Sequence, residues 1–132
     1  MKKIILIFTV ILLSSQGAEA QWIQQLTLGH PIRDIEFLNR NTGWACGDNF
    51  IYKTTNGGTN WNYQTIAPDL ILTSVCFVNQ TTGYISATSG KWFKTTDAGN
   101  TFTMNSNAGY AGSLMDIFFI NPDIGWCVGG NG

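Results

Sequence analysis

"IEFLNRNTGWACG" (35–47), "VCFVNQTTGYISA" (75–87) and "IFFINPDIGWCVG" (117–129) are three spellings of one segment. Phe37, Phe77 and Phe119 correspond, at steps of 40 and 42 residues, and Asn39/Asn79/Asn121, Gly43/Gly83/Gly125 and Trp44/Tyr84/Trp126 follow in step. A period of about 40 residues built from strands belongs to radially arranged blades. Each unit reads as a four-stranded antiparallel meander. In the first, Ile35 to Leu38 make a strand of buried character, Trp44 to Gly47 a second, Phe50 to Thr54 a third and Asn60 to Thr65 a fourth. The second unit runs Ser74 to Val78, Gly83 to Ala87, Lys91 to Thr95 and Thr101 to Met104. Between the first two strands "NRNTG" supplies a turn, in which Gly43 is expected to take a positive φ without a Cβ clash. No stretch beyond residue 20 sustains helical periodicity, so the fold class is all-β, a β-propeller of about two and a half repeats.

A second duplication sits between the third and fourth strands, "KTTNGGTNW" (53–61) and "KTTDAGNTF" (94–102). Thr54, Asn56, Gly58 and Trp61 match Thr95, Asp97, Gly99 and Phe102. An Asp or Asn side chain accepts hydrogen bonds from amides just ahead of it and so holds a hairpin turn, while Gly supplies backbone freedom. The terminal aromatic is expected to pack between neighbouring blades. The copied residues thus have structural work, and the repeat reports shape before chemistry.

These turns resemble the Asp-box, or BNR, repeat, Ser/Thr-x-Asp-x-Gly-x-Thr-Trp/Phe. Thr95, Asp97, Gly99, Thr101 and Phe102 fit it throughout, whereas the first copy departs twice, with Asn56 for Asp and Asn60 for Thr. With the Asn-x-x-x-Gly-Trp turn and the "YKTT" and "FKTT" lead-ins, the chain is similar to the photosystem II assembly factor-like branch of these proteins over nearly all of residues 32–132. That resemblance implies a β-propeller, often exported in bacteria and without a link to photosynthesis there. It is specific for fold and carries little about ligand.

The ends bear on blade number. "QWIQQLTL" (21–28) has the spacing of an orphan fourth strand, so residues 21–31 read as an outer strand and link, 32–71 as blade 1, 72–113 as blade 2 and 114–132 as the start of blade 3. Closed propellers have about four to eight blades. The expectation is an amino-terminal fragment, with a small self-sufficient domain as the alternative. Residues 1–20 place Lys2 and Lys3 before an apolar run from Ile4 to Leu13 and end in Ala18-Glu19-Ala20, the order of a cleaved secretory signal peptide. That run is about half the length needed to span a membrane, so no stable span is expected after cleavage. The chain is read as exported: periplasmic, cell-surface or secreted.

Beyond residue 20 stand five basic and seven acidic residues, a balance of about −2 that gives no reason to expect nucleic acid or an anionic membrane as partner. Cys46 and Cys76 lie in apolar runs and, with Cys127, lack the spacing of a metal site; they read as buried thiols before disulfides. His30 stands alone before Pro31, in a loop. No cofactor and no metal are expected.

Two functions remain in view: an exported interaction scaffold for a protein or a cell-surface glycan, without catalysis, and a fragment of a sialidase-like glycoside hydrolase, since Asp-boxes recur in that family. Sialidases gather several arginines on the substrate carboxylate. Only Arg33 and Arg40 occur here, and the family's Asp-boxes are structural, so the scaffold is preferred and no catalytic residue is assigned. Candidate binding residues are Asp34, Glu36, Asp116 and Trp92. Asp34 and Glu36 alternate with Ile35 and Phe37, so they are expected to point off the packed face, toward a central channel, either as polar lining or as an acid/base pair. Asp116 occupies the place of Asp34, and Trp92 reads either as an exposed binding aromatic or as a blade-interface residue.

Overall fold

The structure, a computed structural model, describes residues 24, 29–106 and 110–130. The signal peptide read at 1–20 and the orphan strand read at 21–28 lie, but for Gln24, outside the described residues. Among the described residues ten strands form three antiparallel sheets in chain order. Blade 1 holds β1 (Asp34–Phe37), β2 (Gly43–Gly47), β3 (Phe50–Thr54) and β4 (Asn62–Thr65). Blade 2 holds β5 (Leu72–Phe77), β6 (Gly83–Ala87), β7 (Lys91–Thr95) and β8 (Thr103–Ser106). Blade 3 contributes β9 (Leu114–Asn121) and β10 (Ile124–Gly129).

Local chemistry accounts for the turns. Asn39, Asn79 and Asn121 each turn Oδ1 onto the amides two and three residues ahead, at 2.8–2.9 Å, which caps the first hairpin of every unit in the same way. The fourth strands start later than the sequence suggests, because the amides of Asn60 and Thr101 are held by side chains of the turn and cannot join the ladder. Strand β5 begins earlier than expected and carries an irregularity between Leu72 and Ser74. In neither Gly43 nor Gly83 is φ positive, contrary to the expectation for Gly43. These glycines face Phe37 and Phe77 across the sheet, and a Cβ would meet the phenyl ring. What the position requires is room for the ring.

The blades stack face to face through one repeated aromatic contact. Trp44 of blade 1 lies flat on Phe77 of blade 2, centroids 3.5 Å apart and planes 6° from parallel. Tyr84 of blade 2 lies on Phe119 of blade 3 at 3.6 Å and 3°. Around the first stack Cys46, Ile51, Leu72, Val75, Ile85 and Phe93 form the main core, with Phe102 packed against it. Around the second gather Cys76, Ile117, Val78 and Trp92.

The outward faces of the end sheets differ. Phe37 is 41% exposed and Ile35 54%, although Val75 and Phe77 at the same places in blade 2 are buried. The buried character read for Ile35–Leu38 therefore fails at Ile35 and Phe37, which point away from blade 2, whereas Leu38 is partly buried against the core. On the other side Trp126 is 59% exposed.

Candidate functional site

Thr54 and Thr95, the last residues of β3 and β7, are buried. Each hydroxyl donates to the Oδ1 two residues on, Asn56 at 3.0 Å or Asp97 at 2.8 Å, and accepts the amide of Gly58 at 2.9 Å or Gly99 at 3.0 Å. Gly57, Gly58, Ala98 and Gly99 all take positive φ, which folds the chain back on itself. Gly57 and Ala98 then donate their amides to Asn41 and Thr81, at 2.8 Å in both blades, so the two hairpin turns of a blade are latched together. Asp97 also uses its second oxygen, for the Thr101 hydroxyl at 2.6 Å. The two departures in the first copy go together: Asn56 has no second carboxylate oxygen, and Asn60 has no hydroxyl to offer one. Trp61 packs edge-on to Phe37 of its own blade at 5.9 Å, and Phe102 joins the layer between blades 1 and 2.

Hydrogen bonds from the Thr101 hydroxyl and amide, then from Thr95, hold the Asp97 carboxyl down at about 2 from an ordinary 3.8. A folded-state value below the unfolded one stabilises the fold above the unfolded value, and that contribution is lost as pH falls toward the folded value. Asp97→Asn is therefore expected to be less stable than the parent at pH 7. In thermal melts the gap should close as pH falls from about 4 to about 2. A constant gap across that window would show that the charge of Asp97 does not stabilise the turn.

Blade 1 grips the turn of blade 2. Lys53 Nζ donates to the Ala98 carbonyl at 2.8 Å, Trp44 Nε1 approaches the same oxygen at 3.4 Å, and Gln64 Nε2 donates to the Gly99 carbonyl at 2.5 Å. The Lys53 ammonium also stands 5.8 Å from the centre of the Trp44 ring. A groove of about 210 Å³ runs beside this grip, lined by Trp44, Lys53, Tyr63 and Gln64 from blade 1 and Gly99 and Asn100 from blade 2. Sequence reasoning missed Lys53 and Gln64 as cross-blade donors; the repeated Lys of "YKTT" and "FKTT" was the available signal.

The acidic candidates are spent on neighbouring blades. Asp34 Oδ2 accepts the Val75 amide at 2.9 Å and lies 2.8 Å from Ser74 Oγ. Asp116 Oδ1 lies 2.8 Å from the same hydroxyl, whose single proton serves one carboxylate at a time. Glu36 accepts the Phe77 amide. Burial raises the Glu36 carboxyl above its ordinary range, the Phe77 amide pulls it back, and the charge of Asp34 raises it again. The sequence expectation that Asp34 and Glu36 point off the packed face toward a channel is thus corrected: they face blade 2, and the exposed side of β1 carries Ile35 and Phe37. The inner edge of each sheet has free amides that need acceptors, and the preceding blade supplies them.

Trp92 is half-buried against Tyr84, 6.3 Å between centroids, in the layer between blades 2 and 3. Cys46 and Cys76 are buried, Cys127 is exposed, and none forms a disulfide. Burial, reinforced by the charge of Asp34, pushes the Cys46 thiol up to about 12, which removes it as a nucleophile. His30 packs on Phe50 at 4.2 Å. Among the described residues no group of three His, Cys, Asp or Glu is placed to hold a metal, and no helix is long and apolar enough to cross a membrane.

Four-stranded meanders stacked face to face, with their first strands β1, β5 and β9 adjacent, are blades of a β-propeller. Solved structures bear this out. A structure of YCF48 bound to D1 peptide is similar over 80% of this chain, with a TM-score of 0.71 and 25% identity. YCF48 from Cyanidioschyzon merolae is similar over 79%, with a TM-score of 0.67 and 15% identity, a likeness of fold. The chain spans 37% and 36% of those two proteins. No family model and no curated protein matches it.

Proposed function

We propose that this chain is the amino-terminal part of an exported, non-enzymatic β-propeller that binds a protein partner, in assembly or adhesion. The observation that carries the reading is the similarity of its blades to those of YCF48, a propeller captured with a peptide. The side chains that could have formed an acid/base pair support it, since Asp34, Glu36 and Asp116 are committed to inter-blade bonds. The duplicated turns fit the Asp-box class, because the bonds that the Asp97 carboxylate makes all stay within its own turn. Export rests on residues 1–20, and the fragment reading on the exposed aromatic face around Trp126.

Fluorescence anisotropy with labelled peptides, the D1 peptide among them, tests this together with assays on sialoside and aryl-glycoside substrates. Saturable peptide binding without turnover is the expected outcome. Hydrolysis that disappears on substituting Asp34 or Asp116 would replace the scaffold with a glycosidase.

A further inference from the structure

Asn56 and Gly57 set a side-chain amide next to a main-chain nitrogen that no Cβ shields. In that arrangement a chain can attack itself. The Gly57 nitrogen, relieved of its proton, bonds to Asn56 Cγ; the Cγ–Nδ2 bond breaks, and Nδ2 leaves as ammonia with that proton. Water then opens the resulting ring at one of its two C–N bonds, giving aspartate in the normal linkage or its isomer linked through the side chain. The corresponding Asp97 is an acid already and has no ammonia to lose.

The folded turn withholds the parts of this reaction. The Gly57 amide donates to the Asn41 carbonyl at 2.8 Å, so the nucleophile keeps its proton. The carbonyl of the same peptide group, on Asn56, accepts the Thr59 hydroxyl at 3.0 Å, which pins the group at its other end. Asn56 Oδ1 is held by the Thr54 hydroxyl at 3.0 Å and the Asn60 amide at 2.9 Å. Attack needs nitrogen and carbon aligned at about 3–3.5 Å, and reaching that alignment means turning the peptide group against these bonds. Water is at hand, since Asn56 is exposed.

We propose that Asn56–Gly57 is a self-modifying site, kept intact by the closed turn and converted to aspartate or its isomer when the turn opens. The two products act in opposite directions. Aspartate brings the second oxygen that Asp97 uses for Thr101, in a turn where Asn60 stands in the place of Thr101 and carries a side-chain N–H donor. The isomer lengthens the main chain by one carbon, which draws the Gly57 amide off Asn41 and unlatches the two hairpin turns of blade 1.

The test incubates the chain at mildly alkaline pH, folded in buffer and unfolded in urea, with circular dichroism establishing the state of each sample. Mass spectrometry of tryptic peptides then reads the conversion. Residues 54–91 form one such peptide, separate from Asn131–Gly132, the chain's other Asn-Gly pair, which lies outside the described residues. In urea Asn56 is expected to give both products, and in buffer the reaction should be at least about tenfold slower. Asn39→Ala removes the side chain that caps the turn bearing Asn41, and should speed conversion in buffer without changing it in urea. Gly57→Ala should slow conversion in urea; Ala98 at the corresponding place, with φ 63° against 67° for Gly57, shows that such a turn accepts alanine. Equal rates in buffer and urea, an Asn39→Ala rate in buffer equal to the parent's, or no conversion of Asn56 in urea would overturn the proposal.

Discussion

Trp44→Ala is expected to lower the free energy of unfolding by about 3–5 kcal/mol, read as a shift of the urea midpoint. Trp44 has no exposed surface, and its ring covers Phe77 at 3.5 Å. Removing it opens a void in the core between the two blades, and it strips the Lys53 ammonium of its ring. Against a typical total of about 5–15 kcal/mol, such a loss uncouples blade 1 from blade 2 or unfolds both. Trp44→Phe separates the causes, since it keeps a flat ring on Phe77 and gives up the indole N–H toward Ala98. It should recover most of the loss. A midpoint equal to the parent's for Trp44→Ala would mean that the stack is not what joins the blades.

Gly83→Ala is expected to cost about 1–3 kcal/mol, the range for forcing one extra carbon into a packed core. The added Cβ would lie 2.6 Å from three atoms of the Phe77 ring. That ring is pinned on its other side by Trp44, so it has nowhere to retreat. The double variant Gly83→Ala with Phe77→Leu isolates the cause, because a smaller side chain should make the alanine cheaper than it is beside phenylalanine. Equal costs in the two backgrounds would place the strain in the backbone.

Turn chemistry was legible in the sequence because it is local. Asn39, Thr54, Asp97 and Gly99 bond to residues within four positions of themselves, so spacing alone announces the arrangement. The period of the repeat then led from single blades to a propeller. Gly43 was misread because a glycine beside a turn has two possible reasons, backbone freedom and lack of a side chain, and only the ring of Phe37 lying over it tells them apart. The acids were misplaced for a related reason. Alternation along β1 says that Asp34 and Glu36 share a face and leaves open which side that face meets; an interior blade is packed on both. Contacts such as Lys53 with Ala98, or Ser74 between Asp34 and Asp116, join residues about 40 positions apart, and no local pattern encodes them.

The aromatic stack also has a sense of direction. In both interfaces the ring on the second strand of the earlier blade covers the phenylalanine on the first strand of the later one. Chains emerge from the ribosome amino terminus first, and domains commonly fold in that order. Trp44 thus leaves the ribosome ahead of Phe77, the ring that it will cover. The order in which the rings cover one another along the array is therefore the order of synthesis.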